Sequence, residues 1–342
     1  MKQRSAYLDY LKFIAMFLVV VYHTPPRYDT AHEAALFNMG APIFFFAAGY
    51  LFNIARQSSF WAFLKHRARQ LLVPYTTFFI VFYLLWLFVG RRMAGPDEMA
   101  IDTLTPVWQF LKGTPDVVLG PFWFIAALFT MQIIYWPIAK LVKNAKASWA
   151  LLIITLILNL SLFILPDVQW LRLWNLDKAL LYMPIYALGN FLGDRNRDAQ
   201  AKAPTASSWP LRIVAAAVGL GFLIVAPLNI DRDVAYVLAP EAVILCLPLY
   251  VGACKWFEHR FGTSRIAQVV AITGITYLAV QNYLIGIIKM VVARVMGEGI
   301  FDNNIVLKVA IAIVVMAAIY PIALFVERYM PWMLGKRHQK SK

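Results

Sequence analysis

The sequence predicts an all-α membrane protein, a polytopic membrane helix bundle of about ten transmembrane helices with both termini on the cytoplasmic side. Three observations lead there. Hydrophobic residues make up 61% of the 342 and charged ones only 15%, whereas a soluble domain carries roughly a quarter charged residues. The apolar excess gathers in runs such as Phe13–Tyr22, Phe78–Gly90 and Ile311–Phe325, which hold no charge at all. The basic residues, finally, sit in short connections between such runs.

Ten spans follow in order, at 8–24, 34–55, 71–90, 119–141, 148–166, 176–193, 211–229, 235–254, 266–293 and 305–326. Lys2 and Arg4 before the first run mimic a signal peptide. No small-residue cleavage signal follows and Pro25-Pro26 closes the run, so a retained first helix is expected. In the second span, Gly40 and Gly49 suit close helix packing, as does Gly189 in the sixth. The third starts near Pro74, a residue tolerated at a helix start. The connection 91–118 carries Arg91, Arg92, Asp97, Glu98 and Asp102 and is expected to hold a short surface helix. Pro184 interrupts the sixth span. Cys246 and Cys254 lie eight apart in one apolar run, which suggests neither a disulfide framework nor a metal site. The whole chain, 1–342, reads as a single membrane domain ending in a basic tail, 327–342.

Orientation follows from the charges. With the N-terminus inside, 21 of the 32 lysines and arginines fall on the cytoplasmic side and most carboxylates outside, as the positive-inside rule requires. The net charge of +14 is spread over these loops, a pattern that argues against nucleic acid as partner and for membrane lipids.

Ionisable groups inside a span are costly and usually face the bundle interior. The first span carries Asp9, Lys12 and His23. Lys12 and His23 are eleven residues apart, which returns to nearly the same helix face with a separation of about 16 Å along the axis. A cation near the cytoplasmic mouth and an imidazole farther out then line one groove. The plainer reading is that Lys12 snorkels to the headgroups and pairs with Asp9. Glu241 falls at roughly the depth of His23 and suits a carboxylate that orients the imidazole, or else an interhelical hydrogen bond. Asn38, Gln281 and Asn282 lie in the outward halves of their spans, as polar glue or as substrate contacts. Phe122-Trp123-Phe124 opens the fourth span, where aromatic side chains more often pack than bind.

The stretch Tyr7-Leu8-Asp9-Tyr10-Leu11-Lys12-Phe13-Ile14-Ala15-Met16, running on to Val20-Val21-Tyr22-His23, resembles the opening of the acyltransferase-3 family of integral membrane acyltransferases. That family's hallmark is a basic residue, ten intervening residues and a histidine. Gly40-Ala41-Pro42-Ile43-Phe44-Phe45-Phe46-Ala47-Ala48-Gly49-Tyr50 is similar to its second conserved stretch, with Ala48 where a serine is usual. Arg67-Ala68-Arg69-Gln70-Leu71-Leu72-Val73-Pro74-Tyr75 resembles its third, and Phe122-Trp123-Phe124 with Leu128 its fourth. These motifs occupy 1–130; Lys12 stands where many members have arginine, and Gln281-Asn282 where many have a histidine.

The resemblance implies an O-acetyltransferase of the bacterial inner membrane, moving an acetyl group from acetyl-CoA to a hydroxyl of a surface or exported glycan, free or lipid-linked, with no metal. Under it, His23 and Glu241 are the catalytic candidates. Lys12, Arg67 and Arg69 are suited to the phosphates of coenzyme A. Asn38, Trp123, Gln281 and Asn282 are candidates for substrate contacts. The competing readings are a secondary transporter or lipid-linked sugar flippase, whose paired broken helices are not evident here, a polysaccharide polymerase, and a structural role that leaves the Lys12–His23 register unexplained.

Overall fold

A computed structural model describes residues 5–25, 39–56, 59–93, 99–141, 145–163, 169–198, 209–229, 232–301 and 304–336. Every regular element among them is helical. We number the main helices α1 (Ala6–His23), α2 (Gly40–Leu51), α3 (Phe60–Gly90), α4 (Thr105–Lys112), α5 (Asp116–Leu141), α6 (Ala145–Leu160), α7 (Leu176–Leu181), α8 (Met183–Asp198), α9 (Trp209–Asn229), α10 (Arg232–Phe261), α11 (Arg265–Met296) and α12 (Ile305–Tyr329).

Helix is the outcome that lipid dictates. Stretches as rich in β-branched residues as Ile311–Val315 are indifferent helix formers in water. In hydrocarbon, each backbone N–H and C=O must find its partner within its own segment. The apolar side chains then face outward: Ile153 and Ile157 on α6, Val218 and Val225 on α9, and Ile313 and Val314 on α12 are all exposed. Pro137 in α5, Pro240 and Pro248 in α10 and Pro321 in α12 sit inside helices, a placement that membrane helices tolerate.

Six helices among the described residues are long and apolar enough to cross a bilayer, namely α1, α3, α5, residues Leu238–Phe261 of α10, α11 and α12. Three shorter apolar helices, Gly40–Leu51, Trp149–Leu160 and Trp209–Val225, overlap three more of the expected spans. The tenth, 176–193, divides into α7 and α8 at Tyr182, one residue before Met183-Pro184. The expected surface helix in 91–118 is α4, amphipathic and closed by Gly113 in the left-handed conformation (φ 83°). One boundary is corrected. α3 begins at Phe60 and carries Pro74 in its interior. Proline has no N–H to give the preceding turn, and that turn, Ala68–Leu72, widens to π geometry.

The helices group into two compact units. One takes its described residues from Met1–Asn53, Asn144–Pro166 and Leu181–Ala323; the other from Ile54–Lys143, Asp167–Leu180 and Leu324–Lys342. In the first, α1 packs against α2, α10 and α11, while α2 lies along α8 and α9 along α10. The α2–α8 contact is backbone on backbone: a Cβ at Gly49 would overlap the Tyr186 carbonyl, and one at Gly189 the Phe46 carbonyl. The glycines at 40, 49 and 189 thus permit close packing, as their sequence context indicated. The second unit has an aromatic core in which Tyr75 stacks on Phe110 and Phe122, with its hydroxyl donating to the Phe110 carbonyl at 2.9 Å.

Candidate functional site

α1 delivers the two groups of the hallmark spacing. Thr24 closes the helix, its N–H bonding the Val20 and Val21 carbonyls and its hydroxyl donating to Val20 O at 2.8 Å. His23 therefore lies in the last turn, with its ring edge-on to Tyr22 at 5.1 Å. Neither Lys12 nor His23 is fully buried, while Leu11, Ala15, Met16, Val20 and Val21 around them are.

The contacts of α1 fix which way that face looks. The Met16 Cε lies 3.4 Å from the Cβ position of Gly274, so Met16 faces α11. Gly40, at the start of α2, rests against the Ala15 carbonyl and Val19. At 100° per residue, Lys12 and His23 sit within about 40° of Met16 and within about 40° of Val19, on the arc between them. They look toward the seam of α2 and α11. The opposite side of α1 meets α10 near the N-terminal end of α1. There the Ala6 N–H donates to Glu258 Oε1 at 2.9 Å, Tyr10 lies beside Phe257 with ring centroids 5.8 Å apart, and Lys255 sits over the Tyr7 ring.

Glu241 follows Pro240 in α10. Both of its carboxylate oxygens are buried, and neither accepts a hydrogen bond from any described residue, the His23 imidazole included. Gln281 is fully buried, with both amide atoms lacking a hydrogen-bond partner among the described residues. Asn282, one residue on and rotated by about 100°, is half-buried. Asn38 lies outside the described residues, as does 337–342 of the basic tail.

Arg67, Arg69 and Trp123 belong to the second unit. The π turn of α3 places Arg69 so that its Nε donates to the Gly335 carbonyl at 2.9 Å, at the left-handed turn (φ 66°) that follows Pro331–Leu334. Arg67 donates to Gln70 Oε1 at 3.0 Å and covers the Phe63 ring at 5.4 Å. Trp123, half-buried about two turns into α5, has the Lys178 ammonium 4.6 Å from its ring centroid.

The profile of the acyltransferase domain family matches residues 5–327, nearly the whole chain and both units. The chain belongs to the acyltransferase-3 family. It is a multi-pass membrane acyltransferase. No curated protein and no solved structure matches it.

Two features of the acyltransferase were not among the sequence candidates. Lys308 is only 1% exposed in the first turn of α12; the one available signal was a lysine one turn inside an apolar span. The other is the support beneath Trp123. Trp174 and Asn175 both take left-handed backbone conformations, φ 52° and 51°, which non-glycine residues seldom adopt. That turn lets Asn175 Nδ2 donate to the Gly113 carbonyl at 2.6 Å while its Oδ1 accepts from Lys178 Nζ at 3.0 Å. Thr130 Oγ1 holds the turn from α5 by donating to Trp174 O. In 169–178 only Asn175, a residue type that tolerates left-handed backbone, hints at such a turn.

Proposed function

We propose that this acyltransferase moves an acetyl group from acetyl-CoA to a hydroxyl of a surface or exported glycan, with His23 as the general base. Its setting is the inner membrane of a bacterium, with both termini in the cytoplasm. The observation that carries the reading is the shared face of Lys12, Met16 and His23, turned to the seam of α2 and α11 by the Met16–Gly274 contact. Lys12 is the cation nearer the cytoplasmic end and His23 the imidazole about 16 Å farther along the axis. A long, thin pantetheine arm with phosphates at one end and a thioester at the other matches that layout.

In the reaction, the neutral imidazole takes the proton of the acceptor hydroxyl as its oxygen attacks the thioester carbonyl. The C–S bond breaks and coenzyme A leaves as thiolate, which takes up a proton. Lys12 holds phosphate by charge. Arg67 and Arg69, in the other unit, are two further cations of the kind that holds phosphate, Arg69 through the guanidinium edge not engaged by Gly335. Glu241, Asn38, Gln281 and Asn282, with Trp123 in the other unit, complete the candidate set.

The test is transfer of labelled acetyl from acetyl-CoA by the full chain in proteoliposomes. His23→Ala is expected to lose at least a hundredfold in rate, the scale of a general base, with unchanged insertion and melting. Undiminished transfer in that variant removes the histidine from the chemistry.

A further inference from the structure

Among the described residues, Gln281 has no structural employment. It is 0% exposed on α11, and neither Nε2 nor Oε1 has a hydrogen-bond partner among the described residues. A buried amide without partners opposes folding. Leucine, of similar size, would fill the same place without that penalty.

Its position follows from the register of α11 against α1. The Tyr10 hydroxyl donates to the Gly262 carbonyl at 3.3 Å, just before α11 begins, and Met16 reaches Gly274 farther along. Residue numbers rise together on both chains, so the two helices run parallel. From Met16 to His23 is seven residues, and from Gly274 to Gln281 is seven. Equal steps give equal rise, about 10 Å, and equal rotation, about 20°. The break in α11 at Thr273, whose hydroxyl bonds Val269 O, falls before this step and leaves it regular. The Gln281 amide therefore comes level with His23, on the side of α11 that faces α1.

A carboxamide offers one acceptor and two donors. We propose that Gln281 is the docking point for a secondary amide of the substrate beside the reacting centre. A trans amide presents its N–H and C=O on opposite edges. Gln281 Oε1 accordingly accepts the substrate amide N–H, and Nε2 donates to the next carbonyl or hydroxyl oxygen along the ligand. Two substrates carry that chemistry, the pantetheine arm of the donor and an acetamido sugar as acceptor. The proposal rests on the reading above for its choice of ligands, but not for its test.

The test is direct binding to the purified full-length chain, with three probes: pantetheine, methyl 2-acetamido-2-deoxyglucoside, and methyl glucoside as the amide-free control. Wild-type protein is expected to bind at least one amide-bearing probe, and Gln281→Leu and Gln281→Met to bind it at least tenfold more weakly. The probe that loses affinity identifies the source of the amide. Both variants are expected to melt no lower than wild type. The proposal is overturned if neither amide-bearing probe binds wild type, if the variants bind as well as wild type, if methyl glucoside loses affinity equally, or if both variants melt several degrees lower. A protein that binds the amide probe through Gln281 yet transfers no acetyl keeps this inference and loses the acetyltransferase reading.

Discussion

Single residues divide by how much of their role their neighbours in the chain could announce. The eleven-residue interval between Lys12 and His23 was legible because helix geometry alone puts them on one face; which partner that face meets needed the Met16–Gly274 contact. For Gln281, sequence offered only a polar residue in an apolar span, and its want of a partner is a property of packing. Lys12→Ala is expected to raise KM for acetyl-CoA about tenfold or more with a smaller change in kcat, as a charge-assisted phosphate contact is worth roughly 1.5–3 kcal/mol. Lys12→Arg should preserve it. A change confined to the KM of the glycan would reverse the polarity assigned to the seam. Glu241→Gln checks the carboxylate in the same assay: full activity makes Glu241 a packing residue. Asn175→Ala, in contrast, is expected to act on stability. It removes the bonds to Gly113 and Lys178 and places alanine at φ 51°, a loss of about 2 kcal/mol, read as a lower denaturation midpoint in detergent.

At the level of elements, hydropathy located apolar helices at nine of the ten expected spans, six of them long and apolar enough to cross a bilayer, because lipid leaves the backbone no alternative to helix. It failed where chain chemistry, not hydropathy, sets the boundary. The third helix runs through Pro74 by widening one turn; the interruption that Pro184 announced in the sixth span falls beside it, at Tyr182. Packing between elements was partly legible too. Gly49 and Gly189 invited close approach, and in the structure each replaces a side chain that would strike a facing carbonyl. Gly189→Ala should therefore cost about 1–3 kcal/mol, the usual scale of overpacking, with α2 and α8 forced apart. Gly286 on α11 has nothing within 4 Å of its Cβ position, and Gly286→Ala is expected to leave stability unchanged or slightly improved. The pair is best read together as denaturation midpoints in one detergent. Equal effects would mean that the α2–α8 backbone contact is not close in solution.

For the whole molecule, the distribution of lysine and arginine carries the orientation, and orientation gives the Lys12–His23 face its direction. If the N-terminus is cytoplasmic, Lys12 meets a donor from the cytosol and His23 meets an acceptor on the far side; reversed, the same residues would present phosphate-binding charge to the wrong compartment. The two native thiols make this readily testable. Cys246 and Cys254 are buried, and Cys246 Sγ lies 3.6 Å from the Ala242 carbonyl, so a membrane-impermeant thiol reagent should meet little background. Lys112, at the exposed end of α4, and Gly262, in the exposed turn between α10 and α11, fall on opposite sides in the charge-based topology. Lys112→Cys is expected to label in intact cells, and Gly262→Cys only after the membrane is opened. The reverse pattern would invert the molecule and with it the assignment of donor and acceptor ends. Labelling of both in intact cells would instead remove a membrane crossing between residues 112 and 262.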